Sequence, residues 1–169
     1  MADMLTITSP LPSTPATFAD VTISVAPPLA RYSLRARDRV TLEQVVGFTL
    51  PSMIGQTIGG VACLGPDEYY ARLPEGTMIA TGNGLPVSVT DVSHRAVGII
   101  VEGADAWRVL AAGCPLDLER FVVGRTARTI YELVEVIIYR ESETRFHIDV
   151  WRSFAPWLWG AMNAAAGAM

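Results

Sequence analysis

Lysine is absent from this chain, and all thirteen basic residues are arginine. Schiff-base chemistry and a phosphate-loop lysine are therefore excluded. Cysteine is scarce: Cys63 and Cys114 are far apart and form no Cys-x-x-Cys pair. Neither a disulfide framework nor a zinc site of recognisable spacing follows, and both thiols are expected to be reduced. Charge is sparse too, at 18% of residues with a net −4, so no basic field attracts nucleic acid. Long apolar runs are missing. Residues 44–66 are interrupted by Gly, Pro, Gln and Thr, and 153–169 are short and rich in Ala and Gly, so no membrane span is expected. The first ten residues lack the basic region and apolar core of a secretory signal, which leaves the cytoplasm as the expected location. What is present is apolar content, 50% of residues, enough to exclude disorder for the bulk of the chain. A chain this long buries roughly 68–70% of its unfolded surface without staples.

Five prolines among Ser and Thr in the first 28 residues predict an extended arm over 1–30, ahead of a single domain at 31–169. Such an arm either stays mobile or gains order along another surface. Alternation over Ser33 to Val40 predicts a strand with Arg35, Arg37 and Arg39 on one face. Short strands follow at Phe48 to Leu50, Gly59 to Leu64, Glu68 to Leu73, Val87 to Val92 and Ala96 to Glu102, with a turn at residues 82–86. A short helix is expected from Asp105 in its first turn to a stop at Gly113. Thr129 to Arg140 and Thr144 to Trp151 read as a hairpin turning at 141–143, with Phe146, Ile148 and Val150 in the core and Arg145, His147 and Asp149 wet. Ser153 is the expected cap of a last helix, with Pro156 in its first turn, a stripe of Phe154, Trp157, Leu158, Ala161, Met162 and Ala165, and Gly167 at its end. The order argues for an α+β fold, an antiparallel sheet with helices packed on one face.

Candidate chemistry is thin. His94 sits in Asp91-Val92-Ser93-His94, whose neighbours alternate in direction on an extended chain and suit a structural turn rather than a relay. His147 is expected to be exposed. Residues 55–60 have the glycines of a phosphate cradle but no Lys-Ser or Lys-Thr and no following helix. Glu132 and Glu135, three apart on an expected strand, fall on opposite faces. Trp157 and Trp159 lie about 200° apart on a helix, so one faces the core and the other an outside surface. No catalytic, cofactor-binding or metal residue is expected; the interface candidates are Arg35, Arg37, Arg39, Trp151, Trp157 and Trp159.

Longer runs carry a resemblance: Cys63 to Glu68, Thr90 to Arg95, Glu102 to Leu118 with its Ala-Ala-Gly-Cys-Pro-Leu-Asp-Leu, and Val150 to Trp159 with its Trp-Arg-Ser-Phe-Ala-Pro. From about Ala62 to Ala165 the chain resembles the gamma subunit of heterotetrameric sarcosine oxidase. It is also similar, more faintly, to half of a glycine-cleavage T-protein (folate-binding) fold, but Val134-Glu135 stands where that superfamily carries its acidic pair. The resemblance implies a non-catalytic subunit of a complex that oxidatively demethylates sarcosine or a related N-methyl amino acid and passes the one-carbon unit to tetrahydrofolate. FAD, FMN, NAD, tetrahydrofolate and zinc would then be held by partner alpha, beta and delta subunits. The alternatives are a free-standing folate-dependent aminomethyltransferase-like enzyme and a small ligand-binding domain.

Overall fold

The computed structural model of the chain describes residues 9–82 and 84–169. The first eight residues of the expected arm, and Asn83 of the expected turn, lie outside the described residues. The rest of the arm is laid into the fold. It forms strands β1 (Ala16–Thr17) and β2 (Thr22–Val25), and Val21, just before β2, and Ile23 within it are buried in a core. The boundary expected at residue 30 falls inside β3 (Leu29–Ala36).

The chain leaves the strand at Asp38, whose carboxylate accepts the amides of Val40 and Thr41, each at 3.2 Å, and so starts helix α1 (Arg39–Val46). Gly47 ends it in the left-handed conformation at φ 79°. Capping thus overrides the alternation expected over Ser33 to Val40. The strand expected at Phe48 to Leu50 is irregular chain, held where the Leu50 amide donates to Glu43 Oε1 at 2.8 Å.

β4 (Thr57–Ile58), β5 (Val61–Gly65), β6 (Glu68–Pro74) and β7 (Val87–Asp91) complete a five-stranded antiparallel sheet with β3, in the order β4-β5-β6-β3-β7. β8 (Ala96–Glu102) then leads to α2 (Ala106–Ala111). Gly113, expected as the stop of this helix, lies in the turn just after it and also serves close packing: a Cβ there would lie 2.5 Å from the Tyr131 ring. The run expected as one strand over Thr129 to Arg140 folds back on itself. β9 (Thr126–Tyr131) turns through Glu132, at φ 51°, into β10 (Val134–Ser142), so Glu132 and Glu135 do not share a strand. β10 pairs with β11 (Arg145–Trp151) as the expected hairpin, Ile138 opposite Ile148. These strands form a six-stranded antiparallel sheet ordered β1-β2-β8-β11-β10-β9. α3 (Ala155–Gly167) has Pro156 in its first turn; Phe154, not Ser153, occupies the cap position, with no side-chain bond.

Two sheets therefore stand where one was expected. α2 and α3 cover one face of the six-stranded sheet, burying Ile99, Ile138, Phe146, Ile148, Leu158 and Met162 in a continuous apolar core. α1 covers the outer face of the five-stranded sheet with Leu42 against Leu34, Tyr69 and Ala71. The inner faces meet each other through Ala62, Tyr70 and Tyr139. The sheets are also joined at an edge, where Gln56 bridges to Arg125 and the Thr57 and Thr126 hydroxyls lie 2.5 Å apart.

Candidate functional site: a charged layer between the sheets

Alternation along β11 puts Phe146, Ile148 and Val150 on the helix side and His147, Asp149 and Trp151 on the other. That second face is not wet. His147 is 3% and Asp149 2% exposed, because the five-stranded sheet covers them, and the expectation of an exposed His147 fails for that reason. The sequence signalled the alternation but not the second sheet that closes over it.

A charge taken from water needs a partner with good geometry. Arg31 on β3 supplies it, donating from Nε at 3.1 Å and Nη2 at 2.8 Å to Asp149 Oδ1. His147 Nε2 lies 3.0 Å from the same oxygen. Gly98, beside Asp149 on β8, makes room for that imidazole: a Cβ there would come within 2.7 Å of His147 Nε2. Burial alone would raise the Asp149 pKa, but the charges and hydrogen bonds of His147 and Arg31 outweigh it and hold the carboxyl well below its ordinary value. Burial opposes the charge on Arg31 as well, and Asp149 more than offsets that, raising its pKa.

The layer extends both ways. On one side Arg72 Nη1 meets Glu141 Oε1 at 3.2 Å while its guanidinium lies 3.5 Å over the Tyr139 ring, which stands edge-on to His147. On the other, Arg128 grips both oxygens of Glu68 at 2.7 and 2.6 Å, Trp151 Nε1 donates to Glu135 Oε1 at 3.4 Å, and Arg95 stacks 3.4 Å over the Trp151 ring. Three of these ion pairs, Arg31–Asp149, Arg72–Glu141 and Glu68–Arg128, cross from one sheet to the other. Their arrangement is that of struts. His147 touches carboxylates and an aromatic edge, and no hydroxyl or thiol is hydrogen-bonded to it among the described residues.

The residues singled out from the sequence are dispersed. Arg35 pairs with Asp67 at 3.1 Å on the surface, Arg37 is exposed in a bend, and Arg39 lies on α1 bonded to Glu43 at 2.5 Å and to the Leu50 carbonyl. Arg39, carried on the helix, does not continue the strand face that presents Arg35. Trp151 belongs to the inter-sheet layer. On α3, Trp157 is 44% exposed while Trp159 is partly buried against the core; Phe154, expected in the apolar stripe, is exposed beside Trp157. His94 is exposed in the turn after β7, where the Ser93 amide donates to Asp91 Oδ1 at 2.8 Å. Both cysteines are free and buried. Arg31, Arg72, Glu141 and Asp149 carried no signal of their own, because their pairing is between strands distant in sequence.

The chain is 31% identical over 141 residues to the sarcosine oxidase gamma subunit of Corynebacterium sp. strain P-1, covering 74% of this chain and 70% of that protein. The chain belongs to the sarcosine oxidase gamma-subunit family. The gamma subunit of Corynebacterium sp. strain U-96 is 30% identical over 143 residues, again across 70% of its length. An Arthrobacter gamma subunit is 31% identical over 119 residues, of which this chain spans 59% of the relative's length. No family model matches. Among solved structures, a chain of the heterotetrameric sarcosine oxidase from Corynebacterium sp. U-96, in complex with pyrrole 2-carboxylate, superposes with a TM-score of 0.79 at 26% identity, covering 90% of this chain and 87% of that one. The aminomethyltransferase T of the Bartonella henselae glycine cleavage system superposes at 0.62 with 14% identity. That match covers 86% of this chain and 46% of the larger one, so this chain shares the fold of about half of that protein.

Proposed function

We propose that the chain is a non-catalytic assembly subunit of a heterotetrameric complex of the sarcosine oxidase type. The observation that carries this reading is the superposition over 90% of the chain on a component of such a heterotetramer. Supporting it, the most reactive-looking cluster, His147 with Asp149, is spent on joining two sheets. Large apolar side chains stand in solvent: Phe154 at the cap of α3 and Trp157 on it, Leu133 at the β9–β10 turn, and Met53 and Ile54 before β4. Aromatic side chains of this kind serve as anchors at stable interfaces. In this reading the partners are alpha, beta and delta subunits, and FAD, FMN, NAD, tetrahydrofolate and zinc reside in them. The complex works in the cytoplasm and demethylates sarcosine or a related N-methyl amino acid. No helix among the described residues is long and apolar enough to cross a membrane. The free-standing aminomethyltransferase reading rests on fold likeness alone and is the weaker one.

Co-expression with the neighbouring flavoprotein subunits tests the proposal. The chain is expected to co-purify with them in a fixed ratio, and the isolated chain is expected to show no saturable binding of tetrahydrofolate. Micromolar folate binding by the chain alone would instead support the enzyme alternative.

A further inference from the structure

A cavity of about 120 Å³ opens between the sheets beside the Arg31–Asp149 strut. Its walls include Leu64, Ile137 and the rings of Tyr70 and Trp151, and its polar lining includes Asp149, Glu135 and Arg95. Asp149 is satisfied on one oxygen only. Oδ1 takes both Arg31 donors and His147, while the buried Oδ2 has no hydrogen-bond partner. An ionised carboxylate is an acceptor with room on both oxygens, and leaving one empty out of water is costly. Tyr70, which lines the same cavity, makes no side-chain hydrogen bond among the described residues, and burial keeps its hydroxyl protonated.

We propose that this cavity binds a small organic ammonium ion, whose N–H groups bond Asp149 Oδ2 and whose alkyl part lies against Tyr70 and Trp151. Asp149 Oδ2 is an ionised acceptor without a donor, which favours a cationic donor over a neutral alcohol and disfavours an anion. Glu68 and Arg128 cancel each other in a two-bonded pair, which leaves Asp149 and Glu135 facing the cavity against Arg95. Arg31, which reaches Asp149 through Oδ1, brings the formal charges round the cavity into balance, so the preference rests on the open carboxylate oxygen rather than on net charge. Aromatic walls add attraction for a cation. The volume, on the order of four waters, limits the ligand to roughly three to five non-hydrogen atoms, a range that includes ethylammonium and dimethylammonium. The inference stands on this chain's own cavity and is independent of its assembly.

The test is a titration of the full-length, nitrogen-15-labelled chain with ethylammonium chloride, following the Trp151 indole N–H by NMR, against potassium chloride at equal ionic strength. A saturable shift with millimolar affinity is expected, absent with potassium and weakened tenfold or more in Asp149→Asn. Should that variant fail to fold, Ala96→Leu serves, since it fills the cavity wall without touching the Arg31–Asp149 pair; saturation is expected to disappear in it. A shift that tracks ionic strength only, or one that saturates equally in Ala96→Leu, overturns the proposal.

Discussion

The two faces of the six-stranded sheet are closed by opposite chemistry. Toward α2 and α3 the filling is apolar, with Phe146, Ile148 and Leu158 fully buried. Toward the five-stranded sheet it is ionic, with Arg31, His147 and Asp149 equally removed from water. Hydrophobic burial is non-directional, so the helix side can hold α3 tightly while fixing its register only through shape. Ion pairs are directional. The inter-sheet side therefore gains little net stability from its charges but sets which strand of one sheet lies over which strand of the other. The same strand, β11, serves both sides through its period of two.

Substitutions on the two faces are expected to behave differently. Phe146→Ala and Asp149→Ala are both expected to cost about 3–5 kcal/mol, the first by a cavity and the second by stranding Arg31. Urea denaturation midpoints measure both. The faces separate in the double variant Arg31→Met/Asp149→Leu, which is expected to recover to within about 1 kcal/mol of the parent or to exceed it. A double variant as unstable as Asp149→Ala would show that the charged layer is itself a source of stability. Acid should distinguish the faces as well. The folded-state pKa of Asp149 is depressed, so its stabilisation is complete above the unfolded value near 4 and is lost as pH falls toward the lower folded value. The double variant is expected to show a flatter fall in stability below about pH 4 than the parent, read from melting temperatures across pH.

Smaller effects refine the picture. Gly98→Ala drives a Cβ into His147 and Ala26 and is expected to cost about 1–3 kcal/mol. Trp157→Ala, at the outer surface of α3, is expected to change the stability of the isolated chain by no more than about 0.5 kcal/mol while lowering co-purification with partner subunits. A large loss of stability with unchanged assembly would remove Trp157 from the interface.

Strand alternation made most of the sheet legible from the sequence. Phe146, Ile148 and Val150 point where their spacing requires, β8 runs from Ala96 to Glu102 as expected, and α3 holds Leu158 and Met162 inward. What stayed hidden was local competition and distant pairing. Asp38 capped a helix where alternation promised a strand, Glu132 turned the chain in the middle of an apparently continuous strand, and the polar face of β11 looked wet because nothing local reveals that β3 and β6 lie over it. The candidate interface residues fared similarly. The opposition of Trp157 and Trp159 follows from helical pitch, whereas the separation of Arg35 from Arg39 depends on a cap that period-two reading ignores.

In the proposed reading the chain contributes to its complex by adhesion rather than by chemistry of its own. Light scattering coupled to size-exclusion chromatography, applied to the flavoprotein subunits expressed with and without the chain, measures this most directly. A mass increase close to the 18.3 kDa of one chain per assembly is expected, with flavin-dependent turnover confined to fractions that contain the partners. A chain that elutes alone beside a fully active flavoprotein, or that turns over an N-methyl amine unaided, would contradict it.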